Sequence, residues 1–251
     1  MNEDNLKKAT LAGGCFWCTE AVFQRLNGVE KVVSGFTGGA IKNPAYREII
    51  TGRTGHAEAI QITYDPDKIA YNELLLVFFA THDPTTLNRQ QNDVGTQYRS
   101  AIFFHDEEQE KIARKTIEVI EEENAFDDPI VTEVTEASAF YVAEQEHQDF
   151  YNQHRQQPYC QFIIDPKITK LKKGLAFARD LIVFCYTEQV AIYPSGKVVY
   201  LPVFFFLQIF PFVDKIPDFT EMIRNKALSF LFSRAAEMGL FGVLKRFLID
   251  F

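Results

Sequence analysis

The chain has no excess of basic residues: 26 Lys and Arg stand against 34 Asp and Glu, a formal net charge of −8 over 251 residues. It also lacks a basic stripe with interleaved aromatics, so nucleic acid is not an expected partner. The opening residues, Met1-Asn2-Glu3-Asp4-Asn5, are polar and acidic, without the apolar segment of a secretory signal. Internal repeats and low-complexity tracts are missing. Cysteine is scarce, at positions 15, 18, 160 and 185. Without a signal peptide these four read as catalytic, metal-binding or redox thiols in a reducing compartment, the cytoplasm, rather than as structural bridges. A zinc site usually wants two closely spaced ligand pairs. Only Cys15 and Cys18 form one, so no metal is expected.

What remains is ordinary globular material, with 47% hydrophobic and 24% charged residues and enough length for one or two domains. The composition shifts near Gly174. Up to Lys173 the net charge is −9, and from 174 onward it is +1, with 13 of the 24 Phe in the last 78 positions. The expected division is therefore an acidic domain, 1–173, and a Phe-rich extension, 174–251.

Within the first part, Ala9–Ala12, Lys31–Thr37, Glu58–Tyr64, Ser100–Phe104 and Ile130–Val134 read as strands. Ala70–Ala80 and Glu107–Glu122 carry apolar residues at helical spacing, the latter with Ile112, Thr116, Ile117 and Ile120 inward. This close alternation suits a two-layer α/β or α+β domain.

The densest chemistry lies in Gly13-Gly14-Cys15-Phe16-Trp17-Cys18-Thr19-Glu20. Paired glycines point to a tight turn. Apolar residues at 17, 21, 22 and 26 predict a helix over Phe16–Leu26 with Cys15 at its N-terminus, where free N–H groups and the helix dipole favour a thiolate. A buried structural thiol is the bland alternative. The two-residue gap to Cys18 also fits a thioredoxin-type dithiol, although Phe16 and Trp17 between the thiols look more like a pocket for an apolar group.

Polar groups recur in Asn43-Pro44-Ala45-Tyr46-Arg47-Glu48, Thr54-Gly55-His56-Ala57-Glu58 and Gln90 to Arg99. Taken singly, Asp93 reads as a turn or cap residue, Tyr98 as half-buried core and His56 as a surface histidine. Glu58 opens an apolar strand, and a carboxylate there either pairs with an arginine or holds a raised pKa suited to a general acid. Cys160 follows Gln157-Pro158-Tyr159, a polar stretch expected to be exposed and mobile, as a resolving thiol needs to be.

These residues resemble one family closely: peptide methionine sulfoxide reductase of the A type, over Lys8 to about Lys173. Its motifs occur in order: Gly-Cys-Phe-Trp-Cys-Thr-Glu at 14–20, Asn-Pro-Ala-Tyr-Arg-Glu at 43–48 and Thr-Gly-His-Ala-Glu-Ala at 54–59. They continue with Asn-Asp-Val-Gly-Thr-Gln-Tyr-Arg-Ser at 92–100, Ala-Glu-Gln-Glu-His-Gln-Asp-Phe-Tyr at 143–151 and Tyr-Cys-Gln-Phe-Ile-Ile-Asp-Pro-Lys at 159–167. The resemblance implies an α+β domain, a two-layer mixed sheet with helices and a ferredoxin-like core. It implies reduction of the S-epimer of methionine sulfoxide, free or in proteins, with no cofactor beyond thioredoxin or another dithiol as external reductant. Cys15 would attack the sulfur, and Phe16 and Trp17 would hold the S-methyl group. Glu58 would protonate the oxygen, Tyr46 and Tyr98 would hydrogen-bond it, and Asp93 and His147 would complete the polar site. Cys160 would condense with the Cys15 sulfenic acid, and thioredoxin would reduce the disulfide.

Cys18 stands where many members carry a small residue. It is an alternative resolving thiol, a relay to Cys160, or a first-turn helix residue. Meeting Cys15 from that position is expected to need local distortion. Two other functions compete with the reductase: a general thiol–disulfide oxidoreductase using Cys15 and Cys18, and a membrane-associated binding protein acting through the extension.

A member of this family is expected to finish near Lys173. Beyond it, Val198–Val213 is apolar but only 16 residues long and carries Pro202, Gln208 and Pro211, short for a bilayer span. Thr220–Phe251 reads as a helix with apolar and basic faces. Membrane contact through residues 198–251, an added subdomain and non-homologous read-through remain open. Cys185 is given no catalytic role.

Overall fold

The computed structural model describes residues 5–173, 190–192 and 198–200. They fall in two units. The first runs in the order β1 (Lys7–Gly13), α1 (Phe16–Phe23), β2 (Val29–Thr37), α2 (Tyr46–Ile49), β3 (Ala57–Tyr64), α3 (Tyr71–Thr81), β4 (Arg89–Gln90) and β5 (Asp93–Val94). It continues with β6 (Ser100–Phe104), α4 (Glu107–Glu122), β7 (Glu133–Glu136), β8 (Tyr141–Val142) and α5 (Phe150–Gln153). In the second unit, β9 (Val190–Ile192) pairs antiparallel with β10 (Val198–Tyr200). Most of the extension, including all of the apolar run after Tyr200 and the whole stretch read as a terminal helix, lies outside the described residues, as does Cys185.

Six strands form one mixed sheet in the order β7-β6-β1-β3-β2-β8, with β6/β7 its one parallel pair. The inner set β1-α1-β2-β3-α3-β6, with strands ordered β6-β1-β3-β2, is the ferredoxin-like split βαβ arrangement. The fold is thus α+β with a mixed sheet, as the family resemblance implies.

The sheet faces differ. Leu11, Ile60, Ile62 and Ile102 pack under Phe23, Leu74 and Phe78. Burying each such side chain contributes about 1.5–3 kcal/mol. A second cluster holds small residues, Ala12, Ala57, Ala59 and Ala101, with Phe103, and Ala137 and Phe140 pack against it.

Strand alternation and helix spacing placed β3, α3, β6 and α4 to within a residue. The Asp106 carboxylate accepts from the Gln109 N–H at 2.8 Å and caps α4, whose first turn carries Glu107, Glu108 and Glu110. Two expectations need correcting. β7 begins three residues late, at Glu133, because Val131 N–H donates to the Pro84 carbonyl instead of joining the ladder. α1 ends at Phe23, short of the expected Leu26, and is not a one-faced helix: every residue from 16 to 23 except Trp17 is buried.

Candidate active site

β1 ends at Gly13 and the chain turns into α1 through Gly14, whose φ of +86° favours glycine. A side chain there would also collide with Gln90, since a Cβ would lie 2.6 Å from its Cγ. Gln90 in turn bridges Asp83, accepting from its N–H and donating to its carbonyl, each at 3.0 Å. The turn leaves Cys15 as the N-cap residue of α1, buried, with no side-chain cap of its own.

The first helical N–H is capped from the sheet: Phe16 N–H donates to Glu58 Oε2 at 3.1 Å. Glu58 is 1% exposed, at the start of β3. Burial outweighs that hydrogen bond and, with help from Asp93, pushes its pKa to about 8. Of the two readings open to Glu58, an arginine pair or a proton held at neutral pH, the surroundings support the second.

The thiols depart from expectation. Burial, a hydrogen bond shared with Cys18 and the charge of Glu58 all push the Cys15 thiol well up, outweighing any advantage of the helix terminus. Cys18 goes the other way, to about 7, mainly because Cys15 hydrogen-bonds to it, with Lys167 and Tyr159 assisting. The pair therefore shares one readily lost proton. Residues three apart on a helix face each other at about 5–6 Å between Cβ atoms, within reach of a thiol hydrogen bond but beyond the roughly 3.5–4.5 Å of a disulfide, so a direct Cys15–Cys18 link still needs local movement.

Tyr159, which sequence reasoning did not assign, places its hydroxyl 3.6 Å from Cys18 Sγ and 3.5 Å from Asp93 Oδ2. Its place beside Cys160 in the motif at 159–167 was the available signal. Burial raises the pKa of Asp93 and Tyr98, and takes that of Tyr46 to about 12. Glu58 is the next cause for both tyrosines, which locates them around the same carboxyl.

Opposite lies an aromatic wall. Trp17 stacks on Phe150 at 3.7 Å between centroids and 7° between planes. His147 sits 5.7 Å from Trp17, 5.5 Å from Phe16 and 4.2 Å from Tyr46, centroid to centroid. The structure thus gathers Cys15, Phe16, Trp17, Tyr46, Glu58, Asp93, Tyr98 and His147 into one site. Phe150 was missed, hidden in a motif whose polar residues drew the attention.

Cys160 is a further correction. It is not exposed: it is fully buried, on an irregular helical turn, Cys160–Ile164, that leads into helical residues 165–173. Its pKa is raised by burial, then by Asp165 and Cys18, which places it within electrostatic reach of Cys18. His56 is likewise buried, not on the surface: Gly39 N–H donates to Nδ1 at 3.1 Å and Nε2–H to the Ile41 carbonyl at 2.7 Å. Among the described residues no group of three or more His, Cys, Asp or Glu is arranged to hold a metal ion. No helix among them is long and apolar enough to cross a membrane.

A dithiol at a helix start, facing a carboxyl that keeps its proton at neutral pH, defines a thiol-based reductase of a substrate whose leaving atom must be protonated. Comparison with known proteins narrows this class. The family described as peptide methionine sulfoxide reductase matches residues 7–178. The peptide methionine sulfoxide reductase MsrA of Deinococcus radiodurans is 56% identical over 167 residues, covering 66% of this chain and 81% of that protein. Methionine sulfoxide reductase A of Corynebacterium diphtheriae superposes with a TM-score of 0.59 at 35% identity, over 62% of this chain and 78% of that one. Reduced Mxr1 of Saccharomyces cerevisiae gives 0.59 at 34% identity, over 63% and 91%. The chain belongs to the peptide methionine sulfoxide reductase family. It is an oxidoreductase that reduces methionine sulfoxide with thiols.

Proposed function

We propose that the chain reduces the S-epimer of methionine sulfoxide, free or in proteins, with Cys15 as nucleophile and Glu58 as acid. The observation that carries this reading is Glu58, buried and protonated to about pH 8, bound to the N–H of the residue next to Cys15. Cys15 attacks the sulfoxide sulfur as its thiol proton passes to the Cys18 thiolate bonded to it, while Glu58 protonates the oxygen, and Tyr46 and Tyr98 donate to that oxygen. Phe16, Trp17 and His147 hold the methyl side, and Asp93 shapes the polar side. Net, the oxygen moves to Cys15 as a sulfenic acid: the methionine sulfur gains two electrons and the Cys15 sulfur loses two.

A second thiolate then attacks Cys15 Sγ, and hydroxide leaves as water once protonated, closing an intramolecular disulfide. Cys160 is the partner that the family resemblance implies. A second reading, favoured by the hydrogen-bonded pair at the start of α1, makes Cys18 the first partner and Cys160 its successor. Thioredoxin, with a dithiol at about −270 mV, is the proposed external reductant. No cofactor enters this cycle. Thiols recycled in this way support a cytoplasmic location. Residues 1–173 are proposed to carry the chemistry and 174–251 to be an extension, with membrane contact through 198–251 as one role for it.

The test is turnover of S- and R-sulfoxides of a blocked methionine with dithiothreitol. Turnover of the S-epimer alone supports the reading; insulin disulfide reduction without sulfoxide turnover overturns it. Cys15→Ser should abolish reduction. Peptide mapping after one turnover separates the two resolving thiols: a Cys15–Cys18 link in Cys160→Ser supports the second reading, and an unresolved sulfenic acid there supports the first.

A further inference from the structure

Glu20 is a buried carboxyl that the reaction above does not use. It sits on α1 one turn after Trp17, so both side chains face the same neighbouring segment. That segment is 147–150, the outer part of the aromatic wall. Glu20 Oε1 accepts from the Asp149 N–H at 3.0 Å, with the Phe150 N–H as a second donor. Asp149 holds a φ of +54°, a left-handed conformation that Asp adopts more readily than most non-glycine residues. The polar ties just beyond, from Gln24 and Arg25 after α1 to Asn152, are exposed and correspondingly weak. Glu20, at 2% exposure, is the buried one.

We infer that Glu20 is a positioning residue for substrate: by holding the backbone of Asp149 and Phe150, it sets the Phe150 ring against Trp17 and so shapes the pocket for the sulfoxide methyl group. The inference rests on the proposed role of Trp17 in binding. Burial takes the Glu20 pKa to about 7, so near neutrality the group serves as an acceptor whether charged or not. What the site needs is therefore an oxygen at that distance rather than a charge.

The chain has a single tryptophan, Trp17, so its intrinsic fluorescence reports this wall directly. The experiment measures KM and kcat for the S-sulfoxide of a blocked methionine, together with Trp17 emission, in Glu20→Ala, Glu20→Asp and Glu20→Gln. Removing or shortening the acceptor should raise KM about tenfold with kcat held within about twofold, and shift the emission toward that of hydrated indole. Glu20→Gln, which keeps the oxygen, should restore both. Should Glu20→Ala fail to fold, Glu20→Asp with an unchanged circular dichroism spectrum carries the test. Unchanged KM and emission in Glu20→Asp would overturn the inference, and so would a loss confined to kcat or a failure of Glu20→Gln to rescue. Failure of the wild type to reduce either epimer would instead sink the proposed function, while the emission measurement would still decide the role of Glu20.

Discussion

The two walls of the site are built by different means. The polar wall draws one group from each of several elements: Glu58 from the start of β3, Tyr46 from α2, Asp93 from β5 and Tyr98 from the short turn Thr96–Tyr98. The aromatic wall comes from two pieces, the first turn of α1 and residues 147–150, and its groups meet ring to ring. On the polar side burial raises every one of these pKa values, so Glu58, Tyr46 and Tyr98 keep their protons at neutral pH, with the Asp93 charge helping Glu58 to do so. On the other side no carboxyl enters the stack, and contact area does the work. On the proposed reading, the difference divides the labour: one wall would govern the rate of the chemical step and the other occupancy. Tyr46, 4.2 Å from His147 and electrostatically tied to Glu58, joins them.

Glu58→Gln should separate the walls most sharply. Losing a positioned acid costs about 10²- to 10⁴-fold in kcat, with KM little changed. The wild-type rate should fall as Glu58 loses its proton near 8. In the variant the falling limb should vanish. Stability follows the same group. Its folded pKa lies above the ordinary value of 4.5, so the native state retains a proton that the unfolded chain releases. Stability is then full below about pH 4.5 and declines as pH rises toward 8, and Glu58→Gln should flatten that decline in urea titrations. A pH profile left unchanged by the substitution would break the assignment of chemistry to the polar wall.

Trp17→Ala tests the opposite wall with a smaller effect. It removes the stack on Phe150 and the floor of the methyl pocket, so KM should rise about tenfold to a hundredfold and kcat by comparison fall little. Steady-state kinetics on the S-sulfoxide would show it. A kcat loss as large as that of Glu58→Gln would mean that the two walls do not divide the labour.

The aromatic wall was also the harder one to read in the sequence. Periodicity located β3, α3, β6 and α4 because their apolar residues recur at strand or helix spacing. It misjudged α1, where Thr19 and Glu20 are buried alongside Phe16 and Phe23, so no polar face marks the helix. The family motifs named the reacting groups, yet not what supports them. Tyr159 joins Asp93 to Cys18 over 66 residues of sequence, and Glu20 reaches Asp149 over 129, separations that no local pattern encodes. Cys160 misled because Gln157 and Pro158 are exposed, whereas the irregular turn that follows directs the thiol inward. Glu58 was legible for the converse reason: an acid opening an apolar strand is conspicuous at any distance.

The smallest effect sharpens the account of how the polar wall is presented. Asp93 stands on a hairpin in which Gln90 pairs with Asp93 across the two residues Gln91 and Asn92. Gln91 has a φ of +54° at the first position of that turn, a place that suits glycine, and its side chain is exposed. A side chain held there costs about 1–2 kcal/mol, part of which Gly gives back through its freer unfolded state. Gln91→Gly should therefore stabilise the fold by about 0.5–1 kcal/mol, seen as a higher urea midpoint at constant slope. Gln91→Ala, which keeps the Cβ, should gain nothing. If the turn only carries Asp93, kcat should not move in either variant. A fall in kcat alongside the gain in stability would show that the strained turn holds Asp93 in register with Tyr159, and the polar wall would then extend into the backbone of this hairpin.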